Sequence, residues 1–320
     1  MNDMIQEISR IGILPVLKLD REEDAVPVAE ALVRGGLPCV EVTFRTSAAR
    51  GAIEKIAKEC PDMLVGAGTV LTTGQVDEAV AAGARFIVTP GLNPMIVRYC
   101  QAKDIPIIPG INNPTGIEQA MVMGLDVVKF FPAQQSGGIE MIKAMGAPYI
   151  NISFLPTGGI SYNNMNDYLT NKKVVAVGGS WVVNEKMINA GDFDGIARIA
   201  REAVDHMLDF RLEHVGINCA NEEEAVKGAQ ICRDAFSFET RELPVSYFAG
   251  EGLEFMKSIG RGTNGHIAIR TNSVDRAVYH LERRGIEIDM TTAQYNPDGS
   301  MRFVYLKDEI GGFAYHLVKR

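Results

Sequence analysis

Over the first two thirds of the chain the apolar positions follow one rhythm. A short continuous run of aliphatic, often β-branched residues is followed by a turn. Then comes a segment with apolar residues at three- and four-residue spacing. Eight such runs occur, at 13–19, 38–44, 63–68, 86–91, 105–110, 126–132, 152–159 and 174–180. Continuous rather than alternating apolarity is the pattern of parallel strands covered on both faces. The intervening segments, such as AVPVAEALVRGG, TSAARGAIEKIAKEC and GQVDEAVAAGA, have helical spacing and often end at Gly. Eight strand–helix units in about 200 residues predict a (β/α)8 TIM barrel. A doubly wound open sheet is the competing arrangement, and the count of eight favours the barrel.

The rhythm stops near residue 208, which divides the chain into 1–208 and 209–320. The helical segment FDGIARIAREAVDHMLDF runs into Arg211 without a Gly/Ser-rich linker. From there HVGIN (214–218) predicts a strand and NEEEAVKGAQICRDA (221–235) a helix capped by Asn221. Three β-like runs follow, ending in GEGLEFMK. The order then restarts with a strand at GHIAIRT (265–271) and a helix at NSVDRAVYHLERRG (272–285) that stops at Gly285. Three more runs end in GGFAYHLVK. This is an internal repeat of βαβββ, with His214 and His266 at equivalent places 52 residues apart. It predicts an α+β domain of paired βαβββ modules.

Charge and composition narrow the partners. The 32 basic and 40 acidic side chains give a net charge of -8. Residues 1–208 carry 18 basic against 23 acidic side chains, and residues 209–320 carry 14 against 17, so neither part is basic. That excludes a general nucleic-acid or anionic-membrane binder. No apolar run approaches the roughly 20 residues of a membrane helix, and the N-terminus lacks the apolar stretch of a secretory signal. The five cysteines are scattered and form no CxxC pair, which argues against disulfides or a cysteine-rich zinc site and for a reducing cytoplasm.

Residues 1–205 contain no histidine, so acid–base chemistry there falls to other side chains. Two charged residues interrupt apolar strands. Lys129 sits in VVKFF, where loss of water favours the neutral, nucleophilic amine that attacks a ketone to form a Schiff base. A structural ion pair or an outward-snorkelling lysine is the equally weighted alternative. Glu41 sits in CVEVTF and shares strand parity with Thr43 and Arg45, which places it inside a closed barrel, as proton carrier, as structural partner of Lys129 or Arg45, or as both. PTGGIS and VGGSWV follow the seventh and eighth runs. Each pair of glycines offers backbone N–H groups just before a helix start, suited to an anion, as barrel loops seven and eight often are. Tight turns without a ligand are the alternative.

The motifs VEVTFRT, VGAGTVL, TPGLNP, IPIIPGI, KFFPA, PTGGIS and VGGSWVV occur in this order over residues 1 to about 207. In them the chain resembles the bacterial 2-keto-3-deoxy-6-phosphogluconate aldolase / 4-hydroxy-2-oxoglutarate aldolase family. The resemblance implies a class I aldolase on a (β/α)8 barrel, without cofactor or metal, usually a homotrimer. It would cleave 2-keto-3-deoxy-6-phosphogluconate or 4-hydroxy-2-oxoglutarate to pyruvate and glyceraldehyde 3-phosphate or glyoxylate. It assigns Lys129 as the Schiff-base lysine, Glu41 as general acid/base, Arg45 and Thr69 to the pyruvate carboxylate and Pro90 to the same pocket. Thr157 falls beside the nascent hydroxyl, and Gly158, Gly159, Gly179 and Ser180 form the phosphate cradle. The chain departs from the family at Gln134, where Glu is more usual, and at Phe44, where Leu is.

The repeat in 211–320 is similar to the vicinal-oxygen-chelate superfamily, which includes glyoxalase I. That resemblance implies metal ligands at first-strand positions His214 and His266 and last-strand positions Glu254 and His316, suited to Zn, Ni, Co, Mn or Fe(II). His280, on the helix, is read as a surface residue. A module that serves assembly or ligand sensing is the alternative. For the whole protein, a phosphate-binding isomerase on the same barrel competes with the aldolase, as does a degenerate barrel in a metabolite sensor.

Overall fold

A computed structural model describes residues 3–319, and the chain separates into two compact units, Met1–Met207 and Leu208–Arg320. No helix among the described residues is long and apolar enough to cross a membrane. All five cysteines are free and buried.

In the first unit the strands are β1 (Ile13–Leu17), β2 (Cys39–Thr43), β3 (Leu64–Gly68), β4 (Ile87–Val88), β5 (Ile107–Ile108), β6 (Gly110–Ile111), β7 (Val127–Phe130), β8 (Ser153–Pro156) and β9 (Val177–Gly179). All pairings are parallel, in the orders β5-β4-β3-β2-β1-β9 and β6-β7-β8. Single bridges Phe154↔Val174 and Thr157↔Gly178 follow the edge of β8 towards β9. The wall is curled and barrel-like. A helix precedes β1 at Asp3–Ile11, and the long helix Phe193–Leu208 follows β9. The run expected as one fifth strand is broken in two at Pro109. Proline has no N–H to give a ladder. β5 therefore pairs with β4, and past the break β6 pairs with β7, while the Pro109 carbonyl accepts from Lys129 N at 2.9 Å. Every residue of β2, β3 and β7 is buried, which is why these strands read as unbroken apolar runs.

The second unit is one eight-stranded sheet. Its strands are β10 (Arg211–Asn218), β11 (Thr240–Glu242), β12 (Ser246–Ala249), β13 (Leu253–Met256), β14 (Gly265–Thr271), β15 (Ile288–Tyr295), β16 (Met301–Ile310) and β17 (Phe313–Lys319). The order β11-β12-β13-β10-β14-β17-β16-β15 reads the same from either end in terms of place within each repeat. β10 and β14, the first strand of each half, pair antiparallel at the centre. The helix Glu222–Phe236 starts at Asn221, whose side chain accepts from Glu224 N, as its sequence announced. The first strand begins at Arg211 rather than at 214.

His280 corrects the sequence reading. It is 2% exposed, on the same face of the helix Val274–Arg283 as buried Arg276 and Ala277. Positions 276, 277 and 280 share one side of an α-helix, and that side is the packed one.

The interior is tight enough that single methyl groups count. At Gly66 a Cβ would stand 2.3 Å from the buried Phe86 ring. Gly66→Ala should therefore cost about 1–3 kcal/mol as overpacking. Urea unfolding monitored by circular dichroism would show a lowered midpoint, and an unchanged midpoint would contradict the packing described.

Candidate active site and candidate metal centre

β2 and β7 bring Glu41 and Lys129 together across 88 residues of sequence. Lys129 Nζ lies 3.2 Å from Glu41 Oε1 and 3.5 Å from Oε2, with both side chains almost fully buried. A lone buried charge would cost several kcal/mol, and pairing offsets that cost. The same closeness lets a proton pass between amine and carboxylate. Room for the carboxylate comes from Gly68 on β3. A Cβ there would be 2.1 Å from Glu41 Oε1. The Phe131 ring lies 5.5 Å from Nζ and also lines an open cavity of about 450 Å³ with Pro90, Gly110, Asn112 and Asn113. Phe131 is thus the residue that links Lys129 to that cavity.

The remaining expected positions are distributed as follows. Arg45 lies in the turn after β2, exposed, with Nε donating to Thr43 Oγ1 at 3.1 Å. Thr43 in turn donates to the Leu17 carbonyl at 3.0 Å. Thr69, directly after β3, has φ of +57°, a left-handed conformation that costs a β-branched residue about 1–3 kcal/mol. Thr157 is buried, and its Oγ1 has no hydrogen-bond partner among the described residues. Gly178 makes its space, since a Cβ there would stand 2.3 Å from Thr157 Oγ1. Gly158 and Gly159 have φ of +97° and +75° and form a turn. Ser180 is exposed after Gly179, the last residue of β9.

The two glycine pairs do not sit just before helix starts, as their sequence suggested. The helix after Gly158–Gly159 begins only at Met165, and Gly178 and Gly179 lie inside β9. The positive φ angles of the first pair make the chain turn, and the second pair continues the sheet; neither conformation starts a helix. Two residues near these loops were not anticipated. Trp181 stacks on Gly179, and its Nε1 is buried without a partner among the described residues. Tyr168 donates its hydroxyl to Gln134 Oε1 at 2.7 Å, while Gln134 N donates to the Gly158 carbonyl at 3.0 Å. The departure at Gln134 is thus tied to the glycine turn.

In the second unit, register explains why four distant residues meet. One cross-strand row runs Glu254–Gly216–His266–Ala314, and the next runs His214–Ala268–His316–Tyr305. In each row the two functional side chains flank a Gly or Ala, which leaves space between them. At Gly216 a Cβ would stand 2.0 Å from the His266 ring. His214 Nε2 lies 3.2 Å from His266 Nε2 and 3.2 Å from Glu254 Oε2, and His266 Nε2 lies 3.1 Å from that same oxygen. A ligand atom from each of His214, His266 and His316 falls within 4.8 Å of the other two. Donors about 2.1 Å from one ion, at tetrahedral or octahedral angles, are about 3.0–3.4 Å apart, so the 3.1–3.2 Å distances among His214, His266 and Glu254 fit a metal ion.

Electrostatics agree with that fit. Burial by itself would raise the Glu254 carboxyl, but hydrogen bonds from His214, His266 and Ser246 outweigh it and hold the group well below the usual carboxylate range. Ser246 Oγ donates to Glu254 Oε1 at 2.6 Å, which leaves Oε2 to face the imidazoles. Burial first, then the neighbouring imidazoles of His266 and His214, push His316 down to about 3, so its ring is neutral and able to act as a ligand. His316 Nδ1 is buried without a partner among the described residues. Ser246 and Gly216 escaped sequence reading. Their signal was placement: Gly216 two residues after His214, and Ser246 opposite the strand that carries Glu254.

Residues 4–199 match the family model described as KDPG and KHG aldolase. A 2-dehydro-3-deoxy-phosphogluconate aldolase of Treponema pallidum is 48% identical over 204 residues, 64% of this chain and 97% of the relative. A KDPG aldolase of Legionella pneumophila, solved with pyruvate captured as a covalent carbinolamine, is 39% identical. It superposes with a TM-score of 0.61 and covers 62% of this chain and 97% of that one. The 2-keto-3-deoxy-6-phosphogluconate aldolase of Zymomonas mobilis, solved with 3-phosphoglycerate, is 41% identical at a TM-score of 0.59, covering 62% and 94%. With a strand-borne lysine and glutamate at its centre and a family match over most of its length, this chain is an aldolase, a carbon–carbon lyase, of the KDPG and KHG aldolase family.

Proposed function

We propose that the first unit is a closed (β/α)8 barrel that cleaves 2-keto-3-deoxy-6-phosphogluconate to pyruvate and glyceraldehyde 3-phosphate through a Schiff base on Lys129. The observation that carries this is the buried Lys129–Glu41 contact at 3.2 Å. The relatives' names and the carbinolamine in the Legionella structure support the same chemistry. The proton shared by the pair passes to Glu41 and frees the amine, which attacks C2 of the keto acid. Protonation of the carbinolamine hydroxyl releases water and leaves an iminium. Glu41 then takes the C4 hydroxyl proton, the C3–C4 bond breaks, and its electrons flow to the iminium nitrogen. The aldehyde leaves, C3 of the enamine is reprotonated, and water releases pyruvate and the lysine.

Arg45 supplies a fork for the pyruvate carboxylate, and Thr69 and Pro90 complete that end of the pocket. Thr157, buried with an unpartnered hydroxyl, meets the C4 oxygen. Gly158, Gly159, Gly179 and Ser180 receive the phosphate. The reading includes a homotrimer and a reducing cytoplasm. Cleavage of 4-hydroxy-2-oxoglutarate is a second activity of the same pocket, favoured by the dual name of the family that residues 4–199 match.

For the second unit the reading is a glyoxalase-like domain that holds one divalent ion with His214, Glu254, His266 and His316. Such an ion would polarise an oxygen of a bound molecule.

Borohydride reduction with pyruvate, followed by peptide mass mapping, should place a pyruvyl adduct on Lys129 and none on a Lys129→Ala variant. No adduct on folded protein would overturn the Schiff-base assignment. Glu41→Gln should lower kcat by roughly 10²–10⁴-fold, the usual share of a general acid/base. Steady-state assay of pyruvate release checks this. Metal analysis should find about one equivalent of divalent ion per chain, lost in Glu254→Ala and His266→Ala. Aldolase turnover should survive a chelator that strips the ion.

A further inference from the structure

His214 of the proposed centre lines a cavity that the aldolase reaction does not use. It measures about 800 Å³ and is lined by His214, Phe248, Arg241, Arg270, Ser237 and Thr240. His214 is thus both a member of the centre and part of the cavity wall. Its ring packs edge-on against Phe248 at 5.4 Å, and the Arg241 guanidinium lies over the Phe248 ring at 5.3 Å. Arg241 has no ion-pair partner among the described residues. Arg270 reaches Glu213 at 3.6 Å through Nη1, but its Nε is buried with no hydrogen-bond partner among the described residues.

The charges converge on one kind of ligand. A divalent ion held there would meet a single carboxylate, that of Glu254, so its positive charge would be only partly offset, beside Phe248, Phe303 and Tyr305. In such surroundings an uncompensated positive charge attracts an anion strongly. The two arginines add donors whose planar geometry suits a carboxylate. Three glutamates also border the cavity. Glu213 is engaged by Arg270, and Glu239 and Glu251 are exposed to water.

We infer that this cavity binds a 2-oxo acid, with its carboxylate held by Arg241 and Arg270 and its oxo oxygen turned towards the centre formed by His214, Glu254, His266 and His316. The inference rests on the reading of those four side chains as a metal centre. A 2-oxo acid is also the class of molecule that the aldolase reaction releases, so the second unit would take up or act on a product of the first.

Cobalt(II) added to the full-length apoprotein tests the two readings separately. Its visible bands report only the metal centre, so pyruvate bound at Lys129 is silent. One equivalent of cobalt should bind with intense bands, and pyruvate should then shift those bands saturably. Propionate, which lacks the oxo group, and hydroxyacetone, which lacks the carboxylate, should bind about tenfold or more weakly. Arg241→Ala should raise the pyruvate Kd by about tenfold or more with cobalt stoichiometry unchanged. Arg270→Lys, which keeps the charge and loses the fork, should weaken pyruvate while also keeping the metal. Failure to bind cobalt would overturn the metal centre and this inference with it. Stoichiometric cobalt without a pyruvate response would overturn the inference alone. An equal response to hydroxyacetone, or undiminished affinity in both arginine variants, would overturn the carboxylate site, and an equal response to propionate the 2-oxo assignment.

Discussion

One buried ion pair sets the terms for the first unit. Lys129 and Glu41 stand on β7 and β2, and both side chains are almost fully buried. Removing either partner would leave the other stranded at a cost of several kcal/mol. The local packing follows from the need to keep the two side chains within reach. Gly68 vacates the volume that the Glu41 carboxylate occupies. The Pro109 carbonyl and Lys129 N fix β7 against the broken fifth run. Under the Schiff-base reading proposed above, the pair would supply both parts, an amine that must lose its proton to become a nucleophile and a nearby carboxylate to take it.

Space given up by small residues recurs in the second unit on a different plan. There the sheet pairs two copies of one module about their first strands, and the functional side chains lie in two adjacent cross-strand rows. Gly216 and Ala268 stand between the members of each row. Large residues there would push the imidazoles apart and fill the centre. Repetition supplies the symmetry, and the small residues supply the void.

The two centres differ in how they handle charge. In the first, opposite charges neutralise each other at contact distance and a proton can move between them. In the second, the His316 imidazole is kept neutral by burial, and the Glu254 carboxylate is held ionised by hydrogen bonds. Three imidazoles and one carboxylate are the kind of donor set that suits a divalent ion. Helix-bound His280 belongs to neither group, although at 2% exposure it is buried more deeply than His266 at 7% or His316 at 4%.

The sequence alone determined the order and type of nearly all elements, because continuous apolar runs and helical spacing are local signals that burial on two faces imposes directly. It also marked Lys129 and Glu41, since a charge inside such a run is conspicuous, and the repeat in the second unit, since His214 and His266 recur at matching places. What it could not decide depends on partners far along the chain. The break at Pro109 matters only because β4 and β7 lie on opposite sides of it. His280 is buried because of the helix face turned towards its packing, which one residue's polarity does not reveal. The glycine pairs after β8 and in β9 look alike in sequence, but the backbone makes one a turn and the other a strand. Above all, the 3.2 Å between Lys129 and Glu41 and the clustering of His214, His266 and His316 are facts of tertiary structure. Those arise only when side chains 88 residues apart on two unpaired strands come within reach, or when two copies of a module are brought side by side.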